Sequence, residues 1–273
     1  MERLYDKLKA YSESDFYAFH MPGHKRNKAL LGIELPYDLD ITEIDGFDDL
    51  HHADGILKEE QERAARVFGA EESHFLVNGS TAGILSAVMG CTHRGDKILV
   101  ARHCHKSIYH AIYMNGLVPR YVYPEFDISM HMNGEISKED VAKALAAEPD
   151  IKAVVIVSPN YDGVVSDVKG IAEVAHSYRI PLIVDEAHGP HFGFHPAFPG
   201  RANDLGADVV IQSFHKTLPA MTQTAVLHLC SERVSEKLIR RFLGIYETSS
   251  PSYILMSSLD ACVAKLEKDS GRL

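Results

Sequence analysis

Residues 182–189 read Leu-Ile-Val-Asp-Glu-Ala-His-Gly, and residues 209–217 read Val-Val-Ile-Gln-Ser-Phe-His-Lys-Thr. Each segment opens with a short apolar run and becomes polar at once. Apolar runs of this length without alternation are typical of strands that are buried on both faces of a parallel sheet. In open α/β sheets, ligands bind at the carboxyl ends of the strands. The two segments therefore predict an α/β fold with a site built from the residues that follow the strands.

The same pattern recurs along the chain, where apolar runs alternate with segments of helical spacing. The predicted strands are His74–Val77, Lys97–Ala101, Val118–Tyr123, Ala153–Val157, Leu182–Val184, Val209–Gln212 and Ala225–Leu229. The predicted helices are Leu4–Tyr11, Ile56–Phe68, Ser80–Cys91, His105–Asn115, Ser137–Ala147, Asp167–Tyr178, Glu232–Leu243 and Tyr253–Lys268. We predict one large, mostly parallel seven-stranded sheet flanked by helices. Residues 1–54, which are rich in His, Gly, Pro and Asp after the first helix, are predicted to form an N-terminal helix and arm, and residues 55–273 the major domain.

Composition excludes several classes of protein. The chain has 273 residues, of which 45% are apolar and 24% charged, so it is neither disordered throughout nor a coiled coil. Its net charge of −10 argues against nucleic acid and anionic membranes as partners. The four cysteines are isolated and form neither a disulfide framework nor a zinc knuckle. The N-terminus is charged from Glu2 onward and has no apolar signal segment, so we expect a cytoplasmic protein.

A turn rich in small and hydroxyl residues follows the first predicted strand. It reads Asn78-Gly79-Ser80-Thr81-Ala82-Gly83 and opens a helix; we call it the 78–83 turn. Glycine permits close approach of the backbone, the two hydroxyls are donors, and a helix N-terminus favours an anion. Taken alone, the turn fits a phosphate-binding site and an ordinary strand-to-helix connection equally well.

Asp185 and Lys216 each follow a predicted buried strand. A buried acid needs a cationic or donor partner, and a buried lysine must be paired, deprotonated or covalently modified. The Asp185-Glu186-Ala187-His188 tetrapeptide also matches a helicase motif, but the GxxxxGK[ST] loop that such an enzyme needs does not occur in this sequence. A single lysine is more often a surface residue, yet the apolar run before Lys216 and its polar neighbours favour a functional role.

Together, and in this order, the turn, the acid and the lysine fit one cofactor, pyridoxal 5′-phosphate. Its chemistry needs a lysine that binds the aldehyde and an acid that keeps the pyridine nitrogen protonated. It also needs donors for the phosphate and a flat side chain against the ring.

An ordered series of motifs over nearly the whole chain resembles the major domain of the ornithine/lysine/arginine decarboxylases, which have the aspartate-aminotransferase (type I) fold of pyridoxal-phosphate enzymes. The motifs are His20-Met21-Pro22-Gly23-His24, Asp40-Ile41-Thr42-Glu43, Gly46-Phe47-Asp48-Asp49-Leu50, Asn78-Gly79-Ser80-Thr81, His103-Cys104-His105-Lys106-Ser107, Ser158-Pro159-Asn160-Tyr161-Asp162-Gly163, Asp185-Glu186-Ala187-His188 and Ser213-Phe214-His215-Lys216.

The resemblance implies catalytic roles for four residues. Lys216 would bind the cofactor covalently, Asp185 would pair with the ring nitrogen, His105 would stack on the ring, and His188 would orient substrate or move protons. Further cofactor contacts are implied for Gly79, Ser80, Thr81, Ser213, His215, Thr248 and Ser249. The segment that begins at Thr248 resembles one that reaches the neighbouring subunit's cofactor, which implies a homodimer with shared active sites.

The expected function is that of a lyase in amino-acid metabolism, which converts lysine, arginine or ornithine into an amine and CO2, as in polyamine biosynthesis. An alternative keeps the cofactor but changes the reaction to amino transfer or elimination. A second alternative is a catalytically silent chain that binds cofactor weakly or serves in assembly, since relatives continue into a smaller C-terminal domain that we expect to be absent here. Sixteen histidines occur without an HExxH motif, so no metal site is expected.

Overall fold

Strands and helices alternate along the computed structural model, which describes residues 2–269. The helices are α1 (Leu4–Ser12), α2 (Ile56–Phe68), α3 (Gly79–Cys91), α4 (Lys106–Asn115), α5 (Lys138–Ala147), α6 (Val168–Ser177), α7 (Phe214–Thr217), α8 (Glu236–Tyr246) and α9 (Tyr253–Asp269). The strands are β1 (Glu72–Leu76), β2 (Lys97–Ala101), β3 (Val118–Val122), β4 (Phe126–Asp127), β5 (Met132–Asn133), β6 (Ile151–Val157), β7 (Leu182–Asp185), β8 (Val209–Gln212) and β9 (Ala225–Leu229). Short 3₁₀ turns cover Leu50–His52 and Ala202–Leu205.

One seven-stranded sheet, in the order β1-β9-β8-β7-β6-β2-β3, organises the fold. Strand β9 is antiparallel to both of its neighbours, β1 and β8. The other neighbouring strands of this sheet are parallel. The predicted α/β class and the mostly parallel seven-stranded sheet are therefore confirmed.

Both faces of the sheet are covered. Successive side chains of a strand point to opposite faces, so Val100 packs with Ile108 of α4 while Leu99 packs with Ile171 of α6. This two-sided burial is the reason that the strands have continuous apolar runs instead of an alternating pattern.

Some local elements differ from the prediction. Helix α8 begins at Glu236, not at Glu232, because the Ser235 hydroxyl accepts from the Leu238 N–H at 3.3 Å and caps the helix there. The hairpin β4–β5 and the short helix α7 were not predicted, since two to four residues are too few to establish a periodic pattern.

The N-terminal helix packs into the main core. Leu4 and Leu8 of α1 are buried in one apolar cluster with Leu259 of α9 and Phe47 of the arm. The division of the chain at residue 54 stays a prediction. Within residues 2–269, no helix has the length and hydropathy of a membrane span.

A cluster of buried charges joins α1, α2 and α9. The Arg63 guanidinium donates to Glu60 at 2.7 Å and to Asp260 at 3.0 Å. Asp260 also accepts from the Leu4 N–H at 3.1 Å and from Arg3 at 3.3 Å. We call Arg3, Glu60, Arg63 and Asp260 the ion cluster; it ties the N-terminus to the last helix.

Candidate active site

The sheet brings Asp185 and Lys216 to the same edge. Asp185 is the last residue of β7 and lies beside Ile211 of the parallel strand β8. Lys216 lies in α7, which follows β8 directly after Ser213. The polar residues that follow these two strands therefore share one carboxyl edge, as the sequence predicted.

Asp185 is a buried carboxyl group, 2% exposed. Its Oδ1 accepts from the Ala187 N–H at 3.1 Å. Burial raises the pKa of Asp185 to about 6, while the Ala187 bond and the charge of Lys216 act in the opposite direction. The positive charge near Asp185 is therefore too small to offset the cost of burying its ionised form.

Lys216 meets His188 at this edge, with Nζ 2.9 Å from the His188 Nε2. Lys216 is exposed, yet its partial desolvation lowers its pKa, and Asp185 opposes that shift. The pKa of His188 is also lowered, by burial first and then by the charges of Lys216 and His105. Both shifts favour the neutral forms, and a neutral amine is the form that attacks a carbonyl group.

His105 faces the same site with a fixed ring. It caps α4, and its Nδ1 lies 2.8 Å from the Ser107 hydroxyl and accepts from the Ser107 N–H at 3.3 Å. Burial is the largest cause that lowers the pKa of His105, followed by the charge of Lys216. The cap makes Lys106 the first residue of the helix, one position later than predicted.

The 78–83 turn leaves backbone donors available. Helix α3 begins at Gly79, whose φ is +75°, and the Asn78 side chain does not cap it. A Cβ on Gly79 would meet only the Gln223 carbonyl oxygen, at 3.9 Å, so open space lies beside it. Ser80 is half-buried and Thr81 is exposed. This arrangement fits an anion at the start of the helix.

Ser213 and His215 differ in how they are bonded. The Ser213 hydroxyl is fully buried and has no hydrogen-bond partner within the described part of the chain. Such an oxygen is costly unless a ligand satisfies it. The His215 Nδ1 lies 2.8 Å from the Thr224 carbonyl oxygen, so only its other ring nitrogen is left for a ligand.

Thr248 and Ser249 come after α8 and Glu247. Of these residues, Glu247 is the one that bonds to the start of the 78–83 turn. Glu247 Oε2 accepts from the Val77 and Asn78 N–H groups at 3.0 and 3.1 Å. Thr248 has local contacts: its carbonyl oxygen is 2.9 Å from His51 Nε2, and its hydroxyl accepts from the Ser250 N–H at 3.2 Å. The contact of this segment with a neighbouring subunit stays a prediction.

Sequence reasoning assigned no site role to Glu247 or Tyr161. The Tyr161 ring lies edge-on to the His188 ring, with centroids 5.8 Å apart. Tyr161 belongs to one of the quoted motifs and could have been found there. Glu247 directly follows an amphipathic helix, where an acid is usually a surface residue, so no local signal identifies it.

Comparisons of sequence and of structure both find known proteins that this chain resembles. The sequence profile of the family described as "Orn/Lys/Arg decarboxylase, major domain" matches residues 3–273. An arginine decarboxylase of Bacillus subtilis is 37% identical over 277 residues, which cover 99% of this chain and 56% of that protein. The chain spans about half the length of this and two other curated relatives that it matches.

Solved structures agree with the sequence matches. Lysine decarboxylase A of Pseudomonas aeruginosa superposes with a TM-score of 0.85 at 27% identity, covering 100% of this chain and 41% of that chain. A serine palmitoyltransferase with pyridoxal 5′-phosphate superposes with a TM-score of 0.61 at 18% identity, covering 78% of this chain and 51% of that chain. The second likeness concerns the fold alone.

Proposed function

Because the chain belongs to the Orn/Lys/Arg decarboxylase family, we propose that it takes part in pyridoxal-phosphate-dependent decarboxylation of a basic amino acid. The observation that carries the proposal is the environment of Lys216. Its amine lies 2.9 Å from the His188 ring nitrogen at a strand end, its pKa is lowered, and the buried Asp185 lies at the same edge. These are the properties required of a lysine that binds an aldehyde cofactor.

The residues present fit a phosphorylated aldehyde cofactor. The buried Ser213 hydroxyl lacks a partner among the described residues, and the 78–83 turn offers backbone donors beside open space. Lys216 would hold the cofactor, His105 would lie against its ring, and Ser80, Thr81 and Ser213 would bind its phosphate. When bound, the cofactor accepts the electron pair that remains on Cα after CO2 leaves.

The chain's own residues prepare this chemistry. Asp185, in its ionised form, attracts a proton and a positive charge to the carboxyl edge of the sheet, because the charge of Lys216 offsets only part of the cost of its burial. His188, held neutral, accepts or donates a proton at Nε2, next to the Lys216 Nζ. Either group is suited to return a proton to the Cα of the substrate.

A carboxylate near the site suits a cationic substrate. Asp162 follows Tyr161, whose ring contacts His188, and the negative charge of Asp162 raises the pKa of His103 against the larger effect of burial. Asp162 is exposed, so a distal ammonium or guanidinium group is able to reach it. We propose that it attracts the distal charge of lysine, arginine or ornithine.

We also propose a cytoplasmic homodimer with shared active sites, acting in polyamine biosynthesis. The arm carries large apolar side chains that are exposed in the single chain, namely Phe16, Tyr17, Phe19, Leu30, Leu31 and Ile33. Exposed apolar surface, where it is contiguous, marks protein interaction sites, and these side chains are the part of the arm that would be covered in a dimer.

The decisive experiment is a visible absorbance spectrum of the purified chain with added pyridoxal phosphate, beside Lys216→Ala. We expect an absorbance band of the lysine-bound cofactor in the parent and its loss in the variant. Substrate trials then use lysine, arginine and ornithine, with CO2 and the amine as the expected products.

Other results distinguish the alternatives. A keto acid in place of CO2 would favour amino transfer or elimination on the same fold. A band without turnover of any of the three amino acids would favour a chain that binds cofactor but is catalytically silent. The same spectrum from parent and Lys216→Ala would contradict the assignment of Lys216.

A further inference from the structure

Glu247 is a buried acid at the entrance of the 78–83 turn. Glu247 is 7% exposed, and its Oε2 accepts from the Val77 and Asn78 N–H groups at 3.0 and 3.1 Å. The other oxygen, Oε1, is buried and has no hydrogen-bond partner within residues 2–269. A carboxyl group with one bonded and one unpartnered oxygen is expensive to bury in its ionised form.

The contacts of Glu247 hold the chain at the point where β1 passes into α3. Asn78 directly precedes Gly79, whose φ is +75°. The Asn78 side chain donates to the Tyr246 carbonyl oxygen at 3.3 Å, and the Gln223 amide donates to the Val77 carbonyl oxygen. The direction of the first N–H groups of α3 therefore depends on a short backbone segment that Glu247 fixes.

Within residues 2–269, no cation contributes to the ionisation of Glu247. Burial raises the pKa of Glu247 to about 7, and the bonds from Val77 and Asn78 oppose the shift. His51, which bonds to the Thr248 carbonyl oxygen, is one titratable side chain near Glu247; α8 and β1 carry Glu236, Lys237, Arg240, Arg241, Tyr246, Glu72 and His74. None of them contributes to the shift, so burial controls the ionisation of Glu247.

We propose that Glu247 is a positioning residue for phosphate binding, and that its ionisation weakens the binding of a phosphate group at the 78–83 turn. The inference rests on the proposed function only in naming pyridoxal phosphate as the ligand. In the neutral form, the carboxyl group holds the Val77 and Asn78 N–H groups without adding negative charge. In the ionised form, the same group repels the phosphate.

The sign of the pH dependence follows from this geometry. A bound phosphate favours protonated Glu247, so affinity is highest below the pKa of this residue and falls as pH rises through it. If phosphate binding raises the pKa of Glu247 by one unit, the affinity for phosphate is roughly tenfold lower at pH values above that pKa than below it. Burial raises the pKa of Asp185 to about 6, so its protonation weakens binding on the acid side. Partial desolvation also lowers the pKa of Lys216, but its deprotonation affects the parent and Glu247→Gln alike, so the difference between the two proteins reports Glu247.

The test compares the parent with Glu247→Gln from about pH 6.5 to about pH 8.5. Glutamine keeps a carbonyl oxygen for the Val77 and Asn78 N–H groups but does not ionise. We expect the dissociation constant of pyridoxal phosphate to rise roughly tenfold with pH in the parent and to rise much less in Glu247→Gln. Pyridoxal, which lacks the phosphate, should show no difference between the two proteins.

Two further variants control for folding and for general effects of charge. Glu247→Ala removes the charge and the acceptor. Its pH profile should be as flat as that of Glu247→Gln, and its affinity for pyridoxal phosphate should be lower than that of Glu247→Gln at every pH. Glu60→Gln removes another buried acid, in the ion cluster, whose pKa burial raises to about 8, and should keep the parent's pH profile. Thermal unfolding of each variant reports whether it is folded.

The outcomes separate this inference from the proposed function. Equal pH profiles for parent and Glu247→Gln would overturn the inference and leave the cofactor assignment intact. If the parent takes up no pyridoxal phosphate, inorganic phosphate serves as the probe, read as a shift in thermal unfolding. A pH-dependent shift in the parent that Glu247→Gln lacks would support the inference, and no shift in either protein would overturn it.

Discussion

The ion cluster and the candidate active site both bury charged groups, but they satisfy them differently. In the ion cluster, Arg63 lies between two carboxyl groups, and Asp260 also accepts from a backbone N–H. In the candidate site, the Ser213 hydroxyl has no partner within the described part of the chain, and Lys216 meets a ring nitrogen in place of a carboxylate. Glu60 Oε1 also lacks a partner within residues 2–269, so the difference lies in the ion pairing: Arg63 pairs with carboxylates and joins helices, whereas Lys216 and Ser213 at the strand ends are left for a ligand.

The largest expected effect on stability is in the ion cluster. Arg63→Leu leaves Glu60 and Asp260 close together without their shared cation, so we expect the free energy of unfolding to fall by about 3–5 kcal/mol. Arg240→Leu is the matched control, because Arg240 is more than half exposed and its pairs with Glu72 and Glu236 should contribute less than about 1 kcal/mol. Denaturant unfolding measures both. Similar losses would mean that the ion cluster is no more stabilising than a surface pair.

Asp185→Asn tests the opposite case, a buried charge kept for function. We expect decarboxylation to fall by at least about a hundredfold, because the carboxylate is lost from the carboxyl edge. The parent's folded-state pKa of about 6 exceeds the usual value, so its free energy of unfolding falls as pH rises from about 4 to about 6, by about 3 kcal/mol. Glu186 and Glu247, whose pKa values burial also raises, contribute alike in both proteins, so the free energy of unfolding of Asp185→Asn should fall less than that of the parent by this amount. Unfolding at several pH values, with turnover measured alongside, checks both expectations; a parent-like pH dependence of unfolding would show that Asp185 is ionised without cost.

His188→Gln should have an intermediate effect. Glutamine keeps a polar group near Lys216 but transfers no proton, so we expect a loss in rate of roughly tenfold to a hundredfold and a changed pH profile. His93→Gln is the control, since His93 is exposed and precedes β2 at the opposite edge of the sheet. Steady-state rates across pH provide the measurement. A variant with the parent's rate and profile would remove His188 from the proton steps.

The smallest expected effect concerns Asp162. Asp162→Asn removes one exposed negative charge near the site, so we expect KM for a basic amino acid to rise about threefold to fivefold while kcat is unchanged. Asp150→Asn, at the amino edge of the sheet before β6, should leave KM unchanged. A fall in kcat with constant KM would assign Asp162 a role other than attraction of the substrate's distal charge.

The sequence located the main elements of the fold and much of the candidate site. The apolar runs gave the strands of the large sheet to within a few residues, because each strand is buried on both faces and its pattern is local. Asp185 and Lys216 could be placed at one edge because parallel strands end on the same side. The roles of these residues in catalysis stay predictions, as do the contacts of Thr248 and Ser249 with a second subunit.

Only the tertiary structure decided which distant groups meet. Strand β9 lies antiparallel between β1 and β8, and this brings Gln223, which precedes β9, to the carbonyl of Val77. Glu247 bonds to Asn78 across 169 residues of sequence. Periodicity and motif spacing describe neighbours along the chain, whereas burial, and with it the ionisation of Glu247, depends on segments that only folding brings together.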